Sequence, residues 1–142
     1  MAIGAATYER VLEHERLLEQ PERWQAQAGD RPSWVFTHRD LPKIPGARIS
    51  FVSGDVTAVH EEMAAAAGER NIWLAGGGDL VGQFADRGLL GEIILSIAPA
   101  TLGTGLPLLP RRLSAAQLTL TERNSDGTFA DLTYAVRAGQ RP

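Results

Sequence analysis

The chain has no cysteine among its 142 residues, which excludes disulfides, thiolate metal sites and a cysteine nucleophile. An excess of charge of one sign is also lacking. Lys and Arg number 14 against 17 Asp and Glu, for a net charge of −3 with no basic block. That balance argues against a nucleic-acid or anionic-membrane partner. No apolar run reaches the length of a membrane span, and the N-terminus lacks a signal-peptide pattern, so a cytoplasmic location is the default expectation. His14, His38 and His60 are scattered, with no carboxylates at ligand spacing. They read as solvated surface groups, and no metal site is expected. The sequence has no internal repeat, low-complexity tract or domain linker. What is present is an ordinary globular composition, 44% hydrophobic and 22% charged. The length suits one domain over residues 1–142 with one sizeable core.

Tyr8, Val11, Leu12 and Leu18 recur at roughly helical spacing opposite Glu9, Glu13, Arg16 and Glu19, which predicts a helix from Thr7 to about Leu18. Pro21 to Pro32, containing Trp24, reads as a polar connection. Ser33 to Thr37 is a short aromatic and branched run, hence a buried strand. Leu41 to Gly46, with Pro42 and Pro45, is a loop. Arg48 to Val52 is a second strand, after which Ser53 or Asp55 can cap a helix. That helix carries Val56, Val59 and Met63, then the alanines 64–67, and stops at Gly68. A strand over Ile72–Ala75, a helix from about Asp79 to Arg87 and a strand from Glu92 to Ala98 follow. Thr101 to Pro110 is a Gly/Pro loop. Gln117–Glu122 and Phe129–Arg137 alternate as strands around an Asp126-Gly127 turn. Strands alternating with helices and closed by a hairpin predict an α/β domain of three layers, α/β/α. Its sheet is mixed and mostly parallel, with a C-terminal antiparallel hairpin.

The most informative stretch is Asn71-Ile72-Trp73-Leu74-Ala75-Gly76-Gly77-Gly78-Asp79-Leu80. An apolar strand runs into three glycines and a helix opens directly behind them. Bare Cα atoms let backbone N–H groups approach an anion, and the helix start adds donors and a positive dipole end. Together they make a phosphate cradle. The known phosphate motifs do not fit: Val81 stands where a dinucleotide fingerprint needs its third glycine, and Asp79 where a Walker loop needs lysine. A helix that merely starts tightly is the plain alternative. Thr37-His38-Arg39, at the end of a strand, offers a hydroxyl, an imidazole and a forked guanidinium suited to a phosphate monoester. Its alternative is a polar strand end in water. Gly4-Ala5-Ala6-Thr7 again sets a glycine and small residues before a helix, or else forms an ordinary cap through Thr7.

These stretches, in this order, resemble the dihydrofolate-reductase fold. They are most similar to the reductase domain of the riboflavin-biosynthesis deaminase–reductase and its stand-alone bacterial relatives. The family's G-R-x-T-Y/F-E looks like Gly4-Ala5-Ala6-Thr7-Tyr8-Glu9, and its strand-end T/S-x-R looks like Thr37-His38-Arg39. Its G-G-G before a helix looks like Gly76-Gly77-Gly78-Asp79-Leu80. The stretch Asp86 to Pro99 and the loop Leu102-Gly103-Thr104-Gly105-Leu106-Pro107-Leu108-Leu109 match further family segments, so the resemblance covers nearly the whole chain.

The resemblance implies NADPH as cofactor and hydride transfer to a small heterocyclic substrate. That substrate is pterin-like, as for dihydrofolate reductase, or pyrimidine-like, as for 5-amino-6-(5-phosphoribosylamino)uracil reductase. By this resemblance Gly76, Gly77 and Gly78 hold the cofactor diphosphate with Asp79 and Leu80 at the helix start. Gly4, Ala5 and Thr7 close its other side, and Thr37, His38 and Arg39 lie at the 2′-phosphate. Ala5 replaces the family's arginine, which removes a charged contact worth about 1.5–3 kcal/mol. Family members also carry a strand, a substrate-side loop and a helix ahead of the Gly4 region, where this sequence has three residues. An N-terminally truncated or mis-started domain is therefore expected, with a fragment or a partner-supplied strand as alternatives. No catalytic residue is assigned; Glu92, Asp126 and Asp131 are available carboxylates that read as strand caps or solvated groups. The rival readings are a nucleotide-binding module without turnover and a truncated homologue that works only by assembly. The loop Leu102–Pro110 is a candidate homodimer contact or pocket rim, with a rigid crossover as the alternative.

Overall fold

Residues 1–137 are described by a computed structural model. They divide into two compact units after Leu80. The first unit opens with a strand so short that no periodicity announces it: β1, Ala2–Gly4. It exists because it has partners on both sides. β1 pairs in parallel with β2 (Ser33–Phe36), with Ile3 opposite Val35, and β2 pairs in parallel with β3 (Ile49–Val52). On its other side β1 meets the segment 73–75 through a parallel bridge of Ala2 to Leu74. There the Ala2 N–H donates to Trp73 O and the Ala75 N–H donates to Ala2 O, both at 2.8 Å. The strand expected over Ile72–Ala75 is thus present only as this bridge.

Helix α1 spans Ala5–His14 and starts two residues earlier than its apolar spacing predicts. It also ends earlier, because Arg16 takes a positive φ of 51° and breaks the helical phase. The chain then turns Leu17 inward and leaves Leu18 outside, the reverse of the expected stripe. The expected polar connection over Pro21–Pro32 holds a helix instead, α2, Glu22–Ala28. Pro21 sits at its N-cap, and Trp24 and Ala28, four residues apart, are its buried face. Both helices pack with Ile3, Val35, Ile44 and Ile49 in one apolar cluster. Ala2 and Trp34, on the opposite face of the strands, are buried as well. A parallel sheet covered on both faces is the layered α/β arrangement expected.

Tyr8 ties α1 to this layer. Its buried ring stands edge-on to Phe51 of β3 at 5.8 Å, and its hydroxyl donates to Pro42 O at 2.8 Å. Burial raises the phenol pKa, partly offset by a backbone hydrogen bond from Ile44. Helix α3, Val56–Ala67, buries Val56, Val59 and Met63. Of its two candidate caps the structure uses Asp55, whose carboxylate accepts from the Thr57 N–H at 2.8 Å.

Helix α4, Gly78–Asp86, begins in the first unit and continues into the second. The second unit is an antiparallel sheet in the order β4 (Glu92–Ile97), β6 (Ala130–Val136), β5 (Leu118–Ser125). Parallel and antiparallel pairing are both present, as expected, but in two separate three-stranded sheets. The hairpin turn is built by Asp126, whose Oδ1 accepts from the Thr128 and Phe129 N–H groups, and by Gly127 at φ 89°. Backbone hydrogen bonds, those from Phe129 and Thr128 foremost, hold the Asp126 carboxyl below its ordinary pKa. Arg111 lies over Gly82 and pairs with Asp86 through Nε at 2.8 Å. Among the described residues no helix is long and apolar enough to cross a membrane.

Candidate functional site

Strand β1 ends at Gly4 and α1 begins at Ala5 with no loop between them. Gly4 is the N-cap, in extended conformation, and has no side chain to satisfy the helix start. No acidic residue stands in the first turn of α1. The amides of Ala5, Ala6 and Thr7 therefore open a helix that no side chain caps, with an uncompensated dipole end.

The glycine loop is attached to this junction. The Gly4 N–H donates to Gly76 O at 2.8 Å. A Cβ on Gly4 would lie 3.2 Å from Gly77 N, a tight contact, so the close approach of strand and loop favours a glycine there. Gly76 needs to be glycine for a different reason, its φ of 110°. The Gly76–Gly77 peptide is cis. Cβ atoms on Gly76 and Gly77 would lie 3.6 and 3.5 Å from Thr7 Oγ1, so the Thr7 hydroxyl borders both glycines. Gly78 then starts α4, followed by the exposed Asp79 and the buried Leu80. Leu80 is a core side chain and offers the loop only its backbone. Asp79 adds a negative charge to the first turn of α4, which favours that helix and disfavours an anion.

The structure thus brings together Gly4, Ala5, Thr7, Gly76, Gly77 and Gly78, from two segments some seventy residues apart in the chain. They gather where adjacent parallel strands give way to helices, the edge of an α/β sheet at which ligands bind. The residues fit a diphosphate: bare Cα atoms, one hydroxyl and two helix starts. The nearest atom to a Cβ on Gly77 is Thr7 Oγ1 at ordinary contact distance, so the loop has room at that glycine.

The second candidate group is organised differently. The Thr37 N–H donates to Val52 O, which carries β2–β3 pairing one residue further. The Thr37 hydroxyl is used locally, accepting from the Arg39 N–H at 2.9 Å and donating to Arg39 O at 3.1 Å. His38 is exposed. The Arg39 guanidinium is forked onto Glu9 of α1, NH1 to Oε1 at 3.0 Å and NH2 to Oε2 at 2.6 Å. Neither motif taken alone shows this ion pair. Glu9 belongs to the same heptad of sequence as Gly4 and Thr7, and its partner lies thirty residues on. Of the three available carboxylates Glu92 is exposed, and the other two have structural duties: Asp126 in the hairpin turn, and Asp131 accepting from the Ser96 hydroxyl across the sheet.

A sequence-family model described as the RibD C-terminal domain matches residues 11–130. The chain belongs to that family. Its fold is the dihydrofolate-reductase-like α/β fold that the glycine loop and its neighbours suggest. The chain is similar to the uncharacterized protein YwjB of Bacillus subtilis, at 29% identity over 136 residues, covering 96% of this chain and 72% of that one. Among solved structures it resembles a candidate riboflavin biosynthesis protein from Shewanella sp. PV-4, with a TM-score of 0.69 and 18% identity over 96% of this chain and 72% of the other. It also resembles the diaminohydroxyphosphoribosylaminopyrimidine deaminase/5-amino-6-(5-phosphoribosylamino)uracil reductase of Thermotoga maritima, with a TM-score of 0.58 and 13% identity. That match covers 96% of this chain and 44% of the bifunctional protein. The family match includes Thr37–Arg39 and the glycine loop, while Gly4–Glu9 precede it.

Proposed function

We propose that this RibD C-terminal family member is an NADPH-dependent reductase that passes a hydride to a small heterocyclic substrate, pterin- or pyrimidine-like. One observation carries the reading: the Gly4–Gly76 hydrogen bond, which sets an uncapped helix start beside a glycine loop that leads into a second helix. That arrangement suits a diphosphate. Family membership and the reductase half of the Thermotoga maritima protein support a reductase of the riboflavin pathway. Bound NADPH supplies the hydride; the protein binds and orients it. In this reading the Gly76, Gly77 and Gly78 backbone, with Asp79 and Leu80 N–H groups, holds the diphosphate. Gly4, Ala5 and Thr7 close the other side, and Thr37, His38 and Arg39 meet the 2′-phosphate. The chain acts as a single cytoplasmic domain. Leu102 and Leu106, 85% and 87% exposed in the Gly/Pro loop, support a homodimer contact there.

Ala5 favours a second reading, a nucleotide-binding module without turnover, because a small residue at the helix start supplies no charged contact. Incubating the protein with NADPH and either dihydrofolate or the phosphoribosylaminouracil, while following NADPH absorbance, separates the two. Acceptor-dependent NADPH loss supports the reductase. NADPH binding with neither acceptor consumed supports the module, and absence of NADPH binding overturns both.

A further inference from the structure

Glu9 has no part in the reading above, yet its carboxylate takes one N–H from each terminal nitrogen of Arg39. That is one of the two edges a guanidinium can offer an oxyanion; the Nε edge is left over. Both side chains reach solvent, Arg39 at 59% and Glu9 at 39% exposure. A pair so exposed is screened by water and open to competition.

A phosphate taking the edge that Glu9 occupies must displace the carboxylate. A phosphate taking the free edge must sit beside it, and like charges a few ångströms apart repel even in water. Either way the carboxylate opposes the phosphate. The arginine does not depend on Glu9 for its place in the chain, because the Thr37 hydroxyl already fixes the Arg39 backbone through two hydrogen bonds. The glycine loop is bordered by Gly4 and Thr7, so the effect of Glu9 falls on the monoester end of the nucleotide.

We propose that Glu9 is a specificity-determining residue, a resident competitor for Arg39 that weakens recognition of the ribose 2′-phosphate and narrows the preference for NADPH over NADH. The proposal rests on Arg39 as the 2′-phosphate ligand. The opposite role, in which Glu9 positions Arg39 for the phosphate, predicts the opposite sign.

The test is calorimetric titration of adenosine 2′,5′-bisphosphate and adenosine 5′-monophosphate into the wild-type protein, Glu9→Gln and Arg39→Gln. Glutamine keeps the size of Glu9 and a hydrogen-bond acceptor but removes its charge. Glu9→Gln should tighten the bisphosphate by about fivefold and leave the monophosphate unchanged, the scale of one unit-charge contact in water. Glu9→Ala, which removes the acceptor as well, should act in the same direction, and serves if the glutamine variant fails to fold. Weaker bisphosphate binding in either Glu9 variant would make Glu9 a positioning residue and overturn the proposal. An unchanged Glu9→Gln beside a weakened Arg39→Gln overturns it while leaving the Arg39 reading standing. An unchanged Arg39→Gln, or no binding of either nucleotide, removes that reading and the proposal with it.

Discussion

Gly77→Ala tests the glycine loop without disturbing the fold. A Cβ at Gly77 meets nothing closer than Thr7 Oγ1 at 3.5 Å, and its backbone lies outside the left-handed region. The folded chain therefore accepts the methyl group. Alanine also restricts the unfolded chain, which should add about 0.4–1 kcal/mol of stability. For a domain of this size that is a rise in Tm of about 1–4 °C. In the proposed reading the same methyl projects where the diphosphate approaches the backbone. Losing one charge-assisted hydrogen bond costs about 1.5–3 kcal/mol, or roughly ten- to a hundredfold in affinity. Stability and NADPH affinity should thus move in opposite directions, read by thermal melting and by titration of the same sample. Gly76→Ala is the contrast, since its φ of 110° strains any side chain; it should cost about 1–2 kcal/mol of stability. A stable Gly77→Ala protein with undiminished NADPH affinity would refute the reasoning, because the loop could not then be in contact with the diphosphate.

Three further outcomes are expected. Gly82→Ala brings a Cβ to 3.0–3.2 Å from the Arg111 side chain, so in the wild-type background it should be neutral or destabilising. In an Arg111→Ala background it should instead stabilise by about 1 kcal/mol, the helix propensity of alanine over glycine. Equal effects in a denaturant-based double-mutant cycle would contradict this. Tyr8→Phe removes the donor to Pro42 O while keeping the ring contact with Phe51, and should lose about 1–1.5 kcal/mol in urea unfolding. The Asp126 pKa is lowered from 3.8 by hydrogen bonds from Phe129 and Thr128. Its stabilising effect is therefore complete above that value and is lost as pH falls through the lower folded one. Asp126→Asn should flatten the acid side of stability as pH falls below 3.8, and identical profiles would show the turn contributes nothing.

The glycine loop was legible because its chemistry is local: three bare residues between an apolar strand and a helix have few other uses. The α3 boundaries were legible for the same reason, with Asp55 and Gly68 as punctuation. β1 was not, because three residues carry no period and the strand depends on partners at 34–36 and 73–75. In α2 the Pro21 signal was available, but two buried residues in seven leave too narrow a stripe to see. Leu17 and Leu18 exchanged places because one positive φ at Arg16 shifted the phase, which spacing alone does not register. The candidate site divides along the same line. The glycine residues were found from their own neighbours, whereas the hold of Glu9 on Arg39 is created by the fold.

The most direct test of the nucleotide site is thermal melting of the wild-type chain with NADPH and with NADH at matched concentration. A ligand at a hundred times its Kd adds about 2.7 kcal/mol to the folded state, several degrees in Tm. A clear rise with NADPH and a smaller one with NADH is expected from a loop that holds the diphosphate and an arginine that meets the 2′-phosphate. No shift with either, in a sample that melts cooperatively, would mean the junction of Gly4 with Gly76–Gly78 holds no dinucleotide.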